Sequence, residues 1–325
     1  MAKHLFLAST PFNVIISSMI ALELPEEDSA ELWLIDQPEI QTPFMRHFSE
    51  WSDAPFSRIR IATHQAKRLA DKKKRKASLQ SLSEEVANYP FDYIYTGNDR
   101  RIEFQWLMAH HPGTTEGHYI DDGTYSYVGR KTHWLTDKIL DNALKKFSYG
   151  FWWKQPPTIG ASEWISVAHL AFPTLAVPEL KRKQCRTLPE NLNSPAFASL
   201  SDIYAEDMAG IENLDAIVIL PHESVADVTT EQKMLSVAQE YHAAAAKPHP
   251  RSSGRATNGL PEIAASLPSE IMLTRLKPQC CIIGDVSTAL LTARWLRPDL
   301  NVICIAEKET PVTRLMRQLN IKVLL

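Results

Sequence analysis

The stretch CCIIGDVSTALLTARWLRPDLNVICIA, Cys280–Ala306, reads as strand, helix, strand. Cys280–Asp285 and Asn301–Ala306 are apolar runs of strand length, and free cysteines in such runs behave as small hydrophobes. Between them Ser287-Thr288 offers capping hydroxyls to a helix that runs to Leu296. A strand, a crossover helix and a second strand in one sheet form a parallel pair with a right-handed connection. The alternation continues on both sides. Downstream come a helix near Val312–Leu319 and a closing run, Ile321–Leu325. Upstream lie AIVILP (Ala216–Pro221), a helix over Glu231–His242, AAAKPHP (Ala244–Pro250) and a short helix over Ser269–Leu276.

The first half repeats the pattern. LFLAS (Leu5–Ser9) is followed by Thr10-Pro11, a cap residue and a first-turn proline, and by a helix over Phe12–Leu24. Further strands are expected at Glu31–Asp36, Arg58–Ala62, Phe91–Gly97, Gly117–Gly123 and Trp164–Phe172. A polar helix is expected over His64–Asn88 and an amphipathic one over Trp134–Tyr149. A proline-rich joint with weak periodicity is placed around Pro178–Asn213. The expectation is an α/β protein of two Rossmann-like domains, residues 1–190 and 191–325, whose parallel sheets face a central cleft. Ligands of such sheets bind beyond the carboxyl ends of the strands.

Composition narrows the function. A chain of 325 residues with 44% hydrophobic content has room for two ordinary domains. A net charge of -3 gives no global positive field of the kind nucleic-acid binding needs. The four cysteines lack metal-ligand spacing, which points to a reducing compartment. No apolar run approaches the ~20 residues of a spanning helix, and the apolar run at the N-terminus is short for a signal peptide. The expected location is the cytoplasm, with peripheral contact to a membrane as an option. Neither first βα turn carries G-x-G-x-x-G, which argues against a dinucleotide oxidoreductase.

Four strand-end loops can carry chemistry. In HYIDDGTYSY, Asp121 and Asp122 follow a strand and Gly123 permits a tight turn. Adjacent carboxylates raise one another's pKa toward the range of a general base. The same residues would also serve as a simple capping turn, or as magnesium ligands. In KPHPR, His249 sits between Pro248 and Pro250, so its ring is aimed at little entropy cost. Lys247 and Arg251 make that loop suitable for a phosphate, or they are incidental charges on a surface turn. Ser287 and Thr288 at a helix start can bind phosphate oxygens or merely cap. Glu270, after Ser269 in the first turn of a short helix, can accept ribose hydroxyls or complement the helix dipole.

The series D-D-G, then H-P, then Ser-Thr resembles that of several bacterial sialyltransferase families, especially those acting on lipooligosaccharide or polysialic acid. Ile120–Gly123, Lys247–Arg251 and Ser287–Thr288 match in order and approximate spacing, and LASTPFN (Leu7–Asn13) is similar to the families' opening strand and Thr-Pro helix start. The resemblance implies a GT-B-like fold and an inverting, metal-independent transfer of sialic acid from CMP-sialic acid to a glycan hydroxyl, with no further cofactor. It implies Asp121 as general base, His249 at the leaving phosphate, Ser287 and Thr288 on the phosphate, and Ser269 with Glu270 at the nucleoside. Asp122, Gly123, Pro250, Thr10 and Asn13 would complete the active-site loops. The implied partners are a CMP-sugar donor and a glycan acceptor, free or lipid-linked, at the inner face of a bacterial inner membrane.

Other readings remain at this point. A transferase of another CMP-activated acid, such as Kdo, would use the same loops. A UDP, GDP or CDP-sugar transferase would place a metal on Asp121 and Asp122. A two-lobed binding protein would bind without turnover. The basic run Ala70–Ser78 reads as a solvated face or a contact for polyanions, and the aromatic-rich Lys145–Lys154 as core or as an exposed surface for membrane or sugar. Asn98, Asp99 and Arg100 are either substrate contacts or the start of a capped helix.

Overall fold

The computed structural model describes residues 1–37, 42–62, 79–80, 84, 86, 90–110, 114–129, 145–146, 149–250, 252 and 257–325. The basic run at 70–78, Arg251, and most of the helices expected over 64–88 and 134–149 lie outside the described residues. The chain forms two compact units. One comprises Met1–Ser49 and Ala54–Pro189, the other Glu50–Asp53 and Glu190–Leu325.

The first unit holds seven strands: β1 (Lys3–Ala8), β2 (Ser29–Leu34), β3 (Arg58–Ile61), β4 (Tyr93–Thr96), β5 (Glu116–Ile120), β6 (Ile165–Leu170) and β7 (Gln184–Thr187). They lie in the order β3-β2-β1-β4-β5-β6-β7, and the paired strands are parallel. The order reverses between β1 and β4, which opens a crevice at the carboxyl end of β1. The helix that follows β1, Pro11–Ala21, starts as its sequence dictates. Thr10 Oγ1 accepts the Asn13 N–H at 3.2 Å, and Pro11 occupies the first turn.

One face of this sheet packs an apolar core that includes Leu5, Leu7, Ile94, Tyr119, Leu170 and Trp153. By strand alternation the other face carries His4, Phe6, Tyr95, His118 and His169, all buried. Tyr95 stacks on Phe6 at 4.2 Å and meets the edge of His118 at 4.6 Å, and His118 Nδ1 lies 3.1 Å from His169 Nε2. Burial pushes both of those imidazoles down to about 3.

The second unit holds β8 (Ala216–Ile219), β9 (Ala244–Lys247), β10 (Cys281–Gly284), β11 (Asn301–Ile305) and β12 (Lys322–Leu324), in the order β12-β11-β10-β8-β9. All pairs are parallel, and Cys281 is in register with Ala216 on one side and Asn301 on the other. Here the order reverses between β8 and β10. The joint expected at Pro178–Asn213 is more ordered than its periodicity suggests. It contains a helical turn at Pro178–Lys181, the edge strand β7, and the helix Pro195–Ile203, which buries Phe197 and Leu200. Strand β7 is mostly exposed and is held by its ladder to β6, so it needs no apolar alternation. The aromatic-rich segment is divided between core and surface. Trp153 is buried, whereas Phe151 is 89% exposed. Among the described residues no helix is long and apolar enough to cross a membrane.

Candidate active site

The D-D-G turn leaves β5 with its two aspartates in opposite circumstances. Asp121 is 2% exposed and surrounded by donors. Its Oδ1 accepts the Gly123 N–H at 2.9 Å and the Ser126 hydroxyl at 2.7 Å. Its Oδ2 accepts the Ala171 N–H at 3.0 Å and the Tyr127 hydroxyl. Ser126 is in turn 2.8 Å from the Tyr119 hydroxyl, which accepts the Asp122 N–H at 3.3 Å. The carboxylate therefore fastens the turn, the short helix Tyr125–Val128 and the chain leaving β6. Burial raises its pKa, and the four donors oppose that rise. Gly123 adopts φ 88°, which only glycine takes without strain.

Asp122 is half-buried, and its Oδ1 accepts from Asn13 Nδ2 at 3.3 Å. Burial, helped by the charge of Asp121, pushes this carboxyl up to about 7, against the Asn13 hydrogen bond and the charge of Arg101. Asn13 reaches it because glycine, Gly97, follows β4. A Cβ on Gly97 would stand 2.5 Å from Asn13 Nδ2. Ser9 Oγ lies 3.4 Å from Asn13 Oδ1 and accepts from Arg101 Nη2 at 3.1 Å, and Arg101 pairs with Asp36. Thr10 thus caps the helix, and Asn13 makes the side-chain contact. Ser9, Asn13, Asp36, Arg101 and Asp122 collect at the carboxyl ends of the strands beside the β1/β4 reversal.

Three of these residues, Ser9, Asp36 and Arg101, were missed from sequence. Arg101 and Asp36 sit at strand ends, which was the available signal, but their pairing spans 65 positions. Asp99, weighed as a substrate contact, is fully buried. Its oxygens accept the N–H groups of Gly160 at 2.9 Å and Ser162 at 2.7 Å, and burial pushes it up to about 6.

In the second unit the last residue of β9, Lys247, departs from expectation. Rather than facing a phosphate, its side chain is 1% exposed, and Nζ donates to the carbonyls of Pro248 at 3.3 Å and Ala265 at 3.1 Å. Lysine turns inward because β9 is covered on both faces and the ammonium meets carbonyl oxygens and the charge of Glu270 there. Burial pushes it down to about 8. Glu270 is buried in the helix Ser269–Leu273, and its carboxyl is pushed up by burial and held down by Lys247. Ser269 is half-buried beside it, Pro250 is exposed, and Arg251 lies outside the described residues. His249 is half-buried, with its ring edge-on to His222 at 5.2 Å and 84°. Ser287 stands at the cap position of the helix Thr288–Leu296 without a side-chain cap bond, and Thr288 is its first residue. The neighbouring Asp285 carboxyl is pushed up by burial.

Two α/β units with parallel sheets, each with polar groups at its strand-order reversal, make this a GT-B-like fold. The chain is similar to a 2,6-sialyltransferase from Vibrionaceae Photobacterium sp. JT-ISH-224, whose structure is a ternary complex with CMP and lactose. The TM-score is 0.56 at 13% identity, covering 99% of this chain and 78% of that one. It is also similar to a UDP-GlcNAc 2-epimerase from Neisseria meningitidis bound to UDP-GlcNAc, with TM-score 0.54, 10% identity and coverage of 97% and 85%. A calicheamicin glycosyltransferase gives TM-score 0.51 at 9% identity, with coverage of 100% and 85%. At these identities the likeness is one of fold. No protein-family model matches the chain, and no curated protein sequence does.

Proposed function

We propose that this chain is an inverting glycosyltransferase that moves sialic acid from CMP-sialic acid to a glycan hydroxyl, with Asp122 as general base. The observation that carries the reading is the contrast within the D-D-G turn. A base must be open to its proton and have a pKa near the working pH. Asp122 is half-buried with a pKa of about 7, whereas Asp121 is enclosed by four donors. The base role implied for Asp121 therefore moves to Asp122, and Asp121 becomes the residue that positions it. The same four donors occupy the lone pairs that a magnesium ion would require, which supports a metal-independent reaction.

In the proposed reaction Asp122 takes the proton of the acceptor hydroxyl as that oxygen bonds to the anomeric carbon. The bond from that carbon to the CMP phosphate breaks on the opposite face, which inverts configuration. The leaving phosphate gains negative charge, and His249, Ser287 and Thr288 supply donors to it. Glu270, whose carboxyl burial pushes up against the charge of Lys247, is assigned to the ribose. Lys247 acts through the Pro248 carbonyl, holding the backbone from which His249 projects. The similarity in fold to a sialyltransferase bound to CMP supports the choice of donor.

The test is a thermal-shift panel with CMP, CDP, UDP, GDP and NAD, each with and without EDTA. A ligand at 100 times its dissociation constant adds ~2.7 kcal/mol. Selective stabilisation by CMP that survives EDTA is expected. A response to UDP or GDP that requires a divalent metal would overturn the reading.

A further inference from the structure

We propose that His222 is a second imidazole ligand of the donor's phosphate, acting beside His249; this rests on the donor reading above. Strands β8 and β9 are parallel neighbours with Ile219 in register with Lys247, so their following loops leave the sheet at the same end. His222 follows the first and His249 the second, and their rings meet edge to face at 5.2 Å and 84°. Strand β8 also borders the reversal of strand order, with β10 and its Ser287-Thr288 helix start on the other side. By strand order the loop that carries His222 therefore leaves the sheet between the loops that carry the two groups already assigned to the phosphate.

Its proton is placed by its own loop. The Ser224 N–H donates to His222 Nδ1 at 3.1 Å, and Ser224 Oγ lies 2.8 Å from the same nitrogen. A nitrogen that accepts a backbone N–H bears the lone pair, so the neutral ring carries its hydrogen on Nε2. His222 is half-buried, which leaves the ring accessible to a ligand. The arrangement presents a preoriented N–H donor next to a second imidazole. Its use would be greatest as the phosphate passes from a singly charged diester to a monoester of higher charge. The recognised chemistry is thus a nucleoside monophosphate, and the group read is the phosphate rather than the base.

The experiment measures dissociation constants of CMP and cytidine for the wild-type protein and for His222→Phe, which keeps the aromatic contact with His249 but deletes the donor. His222→Gln, which restores an N–H donor, is the rescue variant. His222→Phe is expected to weaken CMP about tenfold or more, the loss of one hydrogen bond to a charged group. Cytidine affinity should stay unchanged, and His222→Gln should recover part of the loss. CMP affinity within about twofold of wild type in His222→Phe would overturn the inference. Equal weakening of CMP and cytidine would overturn it too, because the ring would then only shape the loop. The wider reading is tested separately by the wild type. If UMP binds in place of CMP, the donor reading fails and the same comparison is made with UMP and uridine. A wild type that does not distinguish CMP or UMP from its nucleoside overturns both.

Discussion

Asp121, just after the interior strand β5 of the first unit, and Lys247, the last residue of the edge strand β9 of the second, are both buried ionisable groups, each near a more open residue of the following loop. They are satisfied very differently. Asp121 receives four hydrogen bonds from Gly123, Ser126, Tyr127 and Ala171. Lys247 gives two, to Pro248 and Ala265, and otherwise depends on the charge of Glu270. A carboxylate saturated by protein donors makes a rigid support that needs no ligand. A buried ammonium with fewer partners depends more on the charge of a neighbouring carboxyl. The base side of the proposed reaction is therefore built in advance.

The largest effect is expected where that rigidity meets chemistry. Asp122→Ala should lower kcat by about 10²–10⁴, the range for loss of a general base, with little change in melting temperature. Asp121→Asn should do the opposite. It turns an amide toward two donors and should cost about 3 kcal/mol of stability, read by denaturant unfolding, while retaining more turnover than Asp122→Ala. If Asp121→Asn abolished activity in a folded protein and Asp122→Ala did not, the roles of the two aspartates would be reversed.

A smaller effect is expected in the second unit. Lys247→Met removes the donor to two carbonyls and leaves Glu270 buried without its cation. A loss of about 2 kcal/mol is expected, together with weaker CMP binding as the His249 backbone loosens. Isothermal titration checks this, and unchanged CMP affinity would mean that the loop does not need its buried cation.

Acid should separate the units by location. His118 and His169 have folded-state values near 3, below the ordinary 6.5. The unfolded chain therefore takes up protons first. Stability from these neutral rings is full above about 6.5 and is lost as pH falls toward 3, at roughly 1.4 kcal/mol per pH unit for each ring. Hydrogen exchange at pH 5 should show β5 and β6 losing protection before β8 and β10. Simultaneous loss in both sheets would show that the imidazole layer does not set the acid limit.

Much of the architecture was legible because it is local. Apolar runs, the Thr10-Pro11 helix start and the φ of Gly123 depend on neighbours within a few residues. Strand β7 was not legible. It is short, polar and exposed, and only its pairing with β6 makes it a strand. The positions at strand ends were also readable, since open sheets place their ligand groups there. Which way each side chain turns at those positions was not.

The sequence by itself determined the alternation of strands and helices, the parallel connections that follow from it, and the loops where chemistry can gather. Tertiary structure alone decided which aspartate is open, where Lys247 points, and that His222 stands beside His249. The physical reason is range. Asp121 is closed by Ala171, 50 positions away, and Asp122 is met by Asn13, 109 positions away. The fate of a charge depends on the donors and acceptors that folding brings to it, and no local pattern in the chain encodes those partners.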